Sequence, residues 1–457
     1  MDWRHVLLEL LREWRTEPAL FLYMLASFIK FPVFQNLLFE KSCFEIYDHD
    51  VELCQNVTAY HEDARVQAEA NRLFFFSSLC LVLPSIPSSL FLGAMVDRNR
   101  IRVSLLIPLS ALLISSLNYI LLSVFIFSSP YLLLLSDLIF GVAGGYISII
   151  GVSVAYAVRG AEGELRSLRV ARLEGSIGLG ATVGSGLSGT LRKALGYTGV
   201  FSLMLVLQLL ALLYIIFCVR DKAESYEDVD ESVDVSVDAP TRVMQGMFLS
   251  PFRVLSRQRP LRILFLINVF AFALELFAFA GMTDIQYSFM RFRLAWDDEI
   301  YGWFSGLSSA FGTLGVVLLY PVLRSWRLSD PILGSVGLLS KVVFLVVISF
   351  SYSSTLTLIL STLTLTNRFV STAFRTTIAN LVENDEQGVI SSFLSILEGL
   401  TGLLATTVLN NLYPLTLPVW SGICPLSIAV LLTVSLFILL GSALHLTRQQ
   451  HQLNPDN

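Results

Sequence analysis

Charge is scarce in this chain. Only 15% of its 457 residues are Asp, Glu, Lys or Arg, whereas a soluble domain carries about a quarter. That excludes an ordinary water-soluble globule, and nothing in the net charge of -5 points to a nucleic-acid partner. Histidine is scarcer still. His5, His49, His61, His445 and His451 all fall in tails, loops or at a span end, so any proton chemistry at membrane depth rests on carboxylates. The five cysteines form no metal-ligand spacing, no nucleophile stands at motif distance from a base, and there is no glycine-rich phosphate loop. An enzyme is therefore not indicated, and neither is a metal or organic cofactor. A cleavable signal peptide is not evident either, since the first apolar run follows Glu17-Pro18 and is long enough to span.

What is abundant is apolar sequence. Hydrophobic residues make up 54% of the chain and the mean hydropathy is +0.68. Runs of about 20 mostly apolar residues cross a bilayer as helices. Twelve are expected, near 18–39, 72–95, 103–127, 131–158, 173–192, 197–219, 261–286, 301–322, 332–352, 355–381, 390–412 and 420–445. Lys and Arg are biased about three to one toward loops on the side of the N-terminus, which predicts cytoplasmic termini. The first outer loop then holds Cys43 and Cys54, a candidate disulfide in an oxidising compartment. It also holds the sequon at Asn56, a candidate glycosylation site. Two free thiols and a chance sequon are the alternative readings.

The chain divides in the middle. A polar segment, 221–260, carries the acidic run Glu224 to Asp238 and reads as a solvated cytoplasmic linker. It separates an N-terminal six-helix half, 1–220, from a C-terminal one, 261–457. The halves carry traces of repetition. Leu173-Glu174-Gly175 opens the fifth span, and Leu397-Glu398-Gly399 sits near the start of the eleventh. Weak symmetry between two halves suggests a carrier that rocks about a central site.

Between spans two and three runs Gly93-Ala-Met-Val-Asp97-Arg98-Asn-Arg100-Ile101-Arg102. It resembles the signature loop of the major facilitator superfamily, with Ile101 and Arg100 as departures. A Gly93 that lets helices approach, with Asp97 and Arg98 pairing across the halves, makes a candidate cytoplasmic gate. The fifth span is dense in small residues, with Gly180, Gly184, Ser185 and Gly189 four apart in pairs. The eighth has Gly306, Gly312 and Gly315. Such spacing suits close or sliding helix contacts.

Ionisable groups at membrane depth are costly unless paired or hydrated. Lys30, Asp137, Glu174, Glu275, Asp284, Arg368, Arg375 and Glu398 fall inside the expected spans. Lys30 and Arg375 are candidate substrate-binding cations for an anion, and Glu174 is a candidate proton-coupling carboxylate. Asp137, Asp284 and Arg368 read as structural ion pairs or as groups near span ends that snorkel.

Several stretches resemble the proton-coupled folate transporter family, a branch of the major facilitator superfamily that includes a thymic stromal cotransporter and a lysosomal member. They are Glu17-Pro18 with Pro32, the run from Arg166 through Glu174 to Gly178, Gly196-Tyr197 with Phe201, Phe374-Arg375, Glu386-Gln387-Gly388 and Asn411 to Pro414. The resemblance implies an all-α, polytopic major facilitator fold of twelve transmembrane helices in two pseudo-symmetric halves. It implies proton-coupled symport of a small organic anion by alternating access, with Glu174 on the family's coupling carboxylate and Arg375 on its span-ten arginine. Protons would be the coupling ion, with the lipid bilayer and the anion as partners. The plasma membrane is the expected location, with the lysosomal membrane as the alternative. Lys30, Arg159, Ala295 and Glu398 depart from the folate carrier's pattern. A pH-independent facilitator or exporter, or a receptor descended from a carrier, are the other functions compatible with the sequence.

Overall fold

The computed structural model describes residues 16–55, 62–97, 100–158, 163–219, 261–326, 328–382 and 387–453. The acidic linker 221–260, Arg98 and the sequon at Asn56 lie outside them, and for Asp97 and Glu174 only the backbone is described. Every described element is helical. In hydrocarbon each backbone N–H and C=O must find its partner within the segment, and an unbroken helix does that.

The N-terminal half comprises α1 (Glu17–Ile46), α2 (Ala64–Asp97), α3 (Ile101–Val124), α4 (130–158), α5 (163–195) and α6 (197–218). The C-terminal half comprises α7 (Arg262–Leu294), α8 (298–325), α9 (Asp330–Phe350), α10 (354–380), α11 (Gln387–Thr416) and α12 (Ile423–Leu453). Among the described residues, nine helical stretches are long and apolar enough to cross a membrane. One of them, Gly175–Cys218, doubles back at Gly196 and supplies two spans. With α10, interrupted by a 3-10 stretch at Ser361–Thr366, and α11, the count is twelve. Several helices outrun the expected apolar bands. α5 begins at 163 rather than 173 and α1 continues to Ile46, because helical hydrogen bonding continues past the apolar band into charged turns.

Local chemistry sets the bends. Gly196 has φ 67° and ψ 178°, a backbone region open to glycine alone, and it reverses the chain between α5 and α6. α4 breaks at Gly144 and Gly145, both at positive φ. The hydroxyl of Ser88 donates to the carbonyl of Val142 beside that break, at 2.7 Å. At the end of α3 the ammonium of buried Lys41 donates to the carbonyls of Phe125, Ile126 and Ser128 at 2.8 to 3.2 Å. It thereby ties α1 to the turn that follows α3. Cys43 and Cys54 are disulfide-bonded, with Cα atoms 5.6 Å apart.

The halves meet along α5 with α8 and along α2 with α11. Gly189 lies against the backbone of Glu299, and a side chain there would overlap it. A Cβ on Gly306 would stand 2.8 Å from Gly186. The small residues of α5 and α8 thus bring the two helices into backbone contact across the halves.

Candidate functional site

The two ends of the molecule differ. At the disulfide end, polar side chains from the two halves bind each other. Arg192 of α5 donates to Asp298 of α8 at 2.5 Å, and Asp298 is fully buried. Lys193 pairs with Asp297 at 3.0 Å and also with Glu299. Arg291 of α7 donates to Asn36 of α1, whose amide donates to Tyr197 at 2.8 Å. Tyr197 in turn donates to Glu40 at 2.6 Å. Ser288 of α7 donates to Asn71 of α2 at 2.9 Å. The void left here between α1, α2 and α7 is about 10 Å³, room for at most one water. This end is closed.

Burial alone would raise the carboxyl of Asp297, between α7 and α8. The N–H of Ile300 and the ammonium of Lys193 outweigh it and hold the group below the ordinary carboxylate range.

Among the described residues, the opposite end shows no ion pair between the halves. A Cβ on Gly93, Gly175 or Gly399 would meet nothing within 4 Å. Arg375 of α10 donates to Glu398 of α11 at 2.6 Å, and both side chains stay accessible, at 40% and 53%. The Arg375 guanidinium also lies 5.6 Å from the ring centre of Phe272. Across the halves, Tyr146 of α4 lies within electrostatic reach of Glu398 and Asp284.

Deeper in the N-terminal half, Lys30 of α1 donates to Tyr119 of α3 at 2.7 Å and to Asp137 of α4 at 3.2 Å. Tyr119 and Ser77 also donate to Asp137. Lys30 lies over the rings of Phe34 and Tyr119. Its side chain is 21% accessible, against 3% for Asp137. The expected substrate cation and the expected structural carboxylate thus form one unit.

The C-terminal half holds a pair that the sequence reading missed. Lys341 of α9 donates to Glu275 of α7 at 2.5 Å, with side chains 12% and 4% accessible. A lone lysine inside an apolar run was the available signal. Asp284, expected in an ion pair, instead accepts from Thr406 and Asn410 of α11. Arg192, Lys193 and Arg291, cations at the ends of α5 and α7, bridge the halves. Glu174 and Glu398 each precede a glycine, Gly175 and Gly399, near the start of α5 and within α11.

A groove of about 370 Å³ beside the break in α4, lined by residues such as Phe91, Leu92 and Val142, carries no charged side chain and is remote from this chemistry. Among the described residues no cluster of His, Cys, Asp and Glu suits a metal ion.

The Major Facilitator Superfamily profile matches residues 71–406. A lysosomal proton-coupled steroid conjugate and bile acid symporter of Gallus gallus is 23% identical over 93% of this chain and 92% of its own. A proton-coupled folate transporter of Bos taurus is 23% identical over 89% of this chain and 87% of its own. Among solved structures, that of a human organic anion transporter superposes with a TM-score of 0.63 at 17% identity, covering 93% of this chain and 97% of the other. A twelve-helix membrane protein that matches these proteins along most of its length is a secondary transporter and not an enzyme. The chain belongs to the Major Facilitator Superfamily, in the branch that holds the proton-coupled folate transporter.

Proposed function

We propose that the protein imports a small organic anion together with protons by alternating access, from an acidic outside or an acidic lumen. The observation that carries this reading is that both candidate anion-binding cations, Lys30 and Arg375, are already engaged by carboxylates. An anion that displaces Asp137 from Lys30 leaves a buried carboxylate without its cation, while one that displaces Glu398 from Arg375 does so at an accessible site where solvent lessens the cost. A proton on that carboxylate removes the cost. Anion and proton therefore bind better together than apart, and each raises the affinity for the other.

Glu174 carries the coupling proton in this scheme, in the N-terminal Leu-Glu-Gly segment that recurs at Glu398. The bias of Lys and Arg makes the linker side and both termini cytoplasmic, so the conformation described is sealed toward the outside or the lumen. Gly93, Asp97 and Arg98 gate the cytoplasmic end. Asn56 is a glycan acceptor on the outer loop, and the plasma membrane or the lysosomal membrane houses the protein. Names of relatives support organic anions as cargo: folate, bile acids and steroid conjugates are what those proteins are named for.

The test is uptake into proteoliposomes of an anion panel containing folates and bile acids, at acid and neutral outside pH, with and without a proton ionophore. Acid-stimulated, ionophore-sensitive uptake is expected. Glu174→Gln should remove the pH dependence, and Arg375→Ala should weaken affinity. Uptake indifferent to pH and ionophore would replace symport by facilitated diffusion or export. No uptake by folded protein would favour a receptor.

A further inference from the structure

We propose that Asp284 is a second proton-binding group, located on the C-terminal half beneath the closed gate. The inference rests on the proton-coupled reading above. Asp137, Glu275 and Glu398 each face a cation within their own half. Among the described residues Asp284 faces none. Its carboxylate accepts from the hydroxyl of Thr406 and, at 3.3 Å, from the amide of Asn410, both neutral groups of α11.

The charged groups around it are engaged elsewhere. On its own helix, Glu275 is paired with Lys341, and Arg291 donates to Asn36 and Tyr287. On α10 and α11, Arg375 and Glu398 hold each other. The titratable neighbours from α8 and α4 are the phenols of Tyr301 and Tyr146. From α1, Gln35 donates to the backbone carbonyl of Asp284 at 3.5 Å.

A second observation points to what is missing. Asn410 Oδ1 and Gln35 Oε1 are buried, their residues 2% and 3% exposed, and neither finds a donor among the described residues. The group is therefore rich in acceptors and poor in donors. An ionised Asp284 adds another acceptor to it, whereas a protonated Asp284 brings the hydrogen that the group lacks. A carboxylate at membrane depth with no cation must otherwise be carried as an uncompensated charge. The step is a proton transfer alone. A hydronium on the acidic side loses a proton, the Asp284 carboxylate gains an O–H bond, and water on the other side takes the proton when the bond breaks.

The experiment needs no substrate. Infrared difference spectra of the purified protein in liposomes, taken between about pH 8 and about pH 5, report the carbonyl band of each carboxyl group that gains a proton. Wild type is expected to show a band that Asp284→Asn loses and Asp284→Glu keeps at a shifted frequency. Asn410→Ala removes one neighbour and should move the midpoint of that band without removing it, which keeps the test usable if Asp284→Asn does not fold. A difference spectrum unchanged in Asp284→Asn, or a midpoint unmoved in Asn410→Ala, overturns the proposal. Loss of pH-dependent transport in the wild type would instead defeat the symport reading and leave this band to be judged separately.

Discussion

The two halves carry the same kind of charge pair in opposite order. In the N-terminal half the cation, Lys30, is on the first helix and its carboxylate, Asp137, on the fourth. In the C-terminal half the carboxylate, Glu275, is on the first helix and the cation, Lys341, on the third. Lys30 and Glu275 stand at matching places, each thirteen residues after the start of its helix, 17 to 30 and 262 to 275. The pairs also differ in access. Lys30 is 21% accessible and stacked on two aromatic rings, while Lys341 is 12% accessible and Glu275 only 4%. Repetition of a backbone thus does not impose repetition of a role. In the proposed cycle the N-terminal pair is the one an anion interrupts, and the C-terminal pair is kept.

The comparison breaks most visibly at Lys341. Lys341→Met leaves Glu275 without a cation, and loss of one partner of a buried pair costs about 3–5 kcal/mol. Folded protein recovered by size exclusion should fall sharply, and the double variant Glu275→Leu, Lys341→Met should restore it. Equal loss in both variants would remove the structural role assigned to this pair.

Lys30→Met should be milder for stability, because Asp137 keeps the hydroxyls of Tyr119 and Ser77. Its effect should fall on the transported anion, with affinity weakened by about 10-fold or more, the equivalent of about 1.4 kcal/mol. Unaltered affinity would deprive Lys30 of its proposed contact. The exchange Lys30→Asp with Asp137→Lys sharpens the point by giving the first half the charge order of the second. It should fold better than Lys30→Asp alone, as read by thermal unfolding, yet transport less than wild type.

The smallest effects belong to the rim of the closed end. Lys193 is half-exposed, at 49%, and Lys193→Ala should cost less than about 1 kcal/mol. The lowered carboxyl of Asp297 has a defined sign. Its contribution is present above the ordinary range of an aspartate and is lost as pH falls through the lowered value. The stability difference between wild type and Asp297→Asn should therefore be the same at pH 7 and about pH 5. A difference that shrinks over that range would show that this latch itself senses acid.

Parts of this arrangement were legible residue by residue. The acidic residues Glu174 and Glu398 were visible as a repeat because each follows a leucine and precedes a glycine, and both fall on helices, α5 and α11. The glycines of α5 and α8 announced a close helix contact, which Gly189 and Gly306 make across the halves. The partnerships of charge were not legible. Asp284 read as one half of an ion pair because an aspartate in a span usually needs a cation, and nothing local says that Thr406 and Asn410 take that place. Arg192 and Asp298 are 106 residues apart, so no spacing rule links them.

The sequence by itself determined that the chain crosses a membrane as helices, and roughly where. A run of apolar side chains must enter hydrocarbon, and a helix satisfies its backbone without reference to any other segment. Tertiary structure alone decided which end is sealed, which cation meets which carboxylate and which carboxylate meets none. Those outcomes depend on the relative rotation and depth of helices distant in the chain, where a shift of a few ångströms makes or breaks an ion pair.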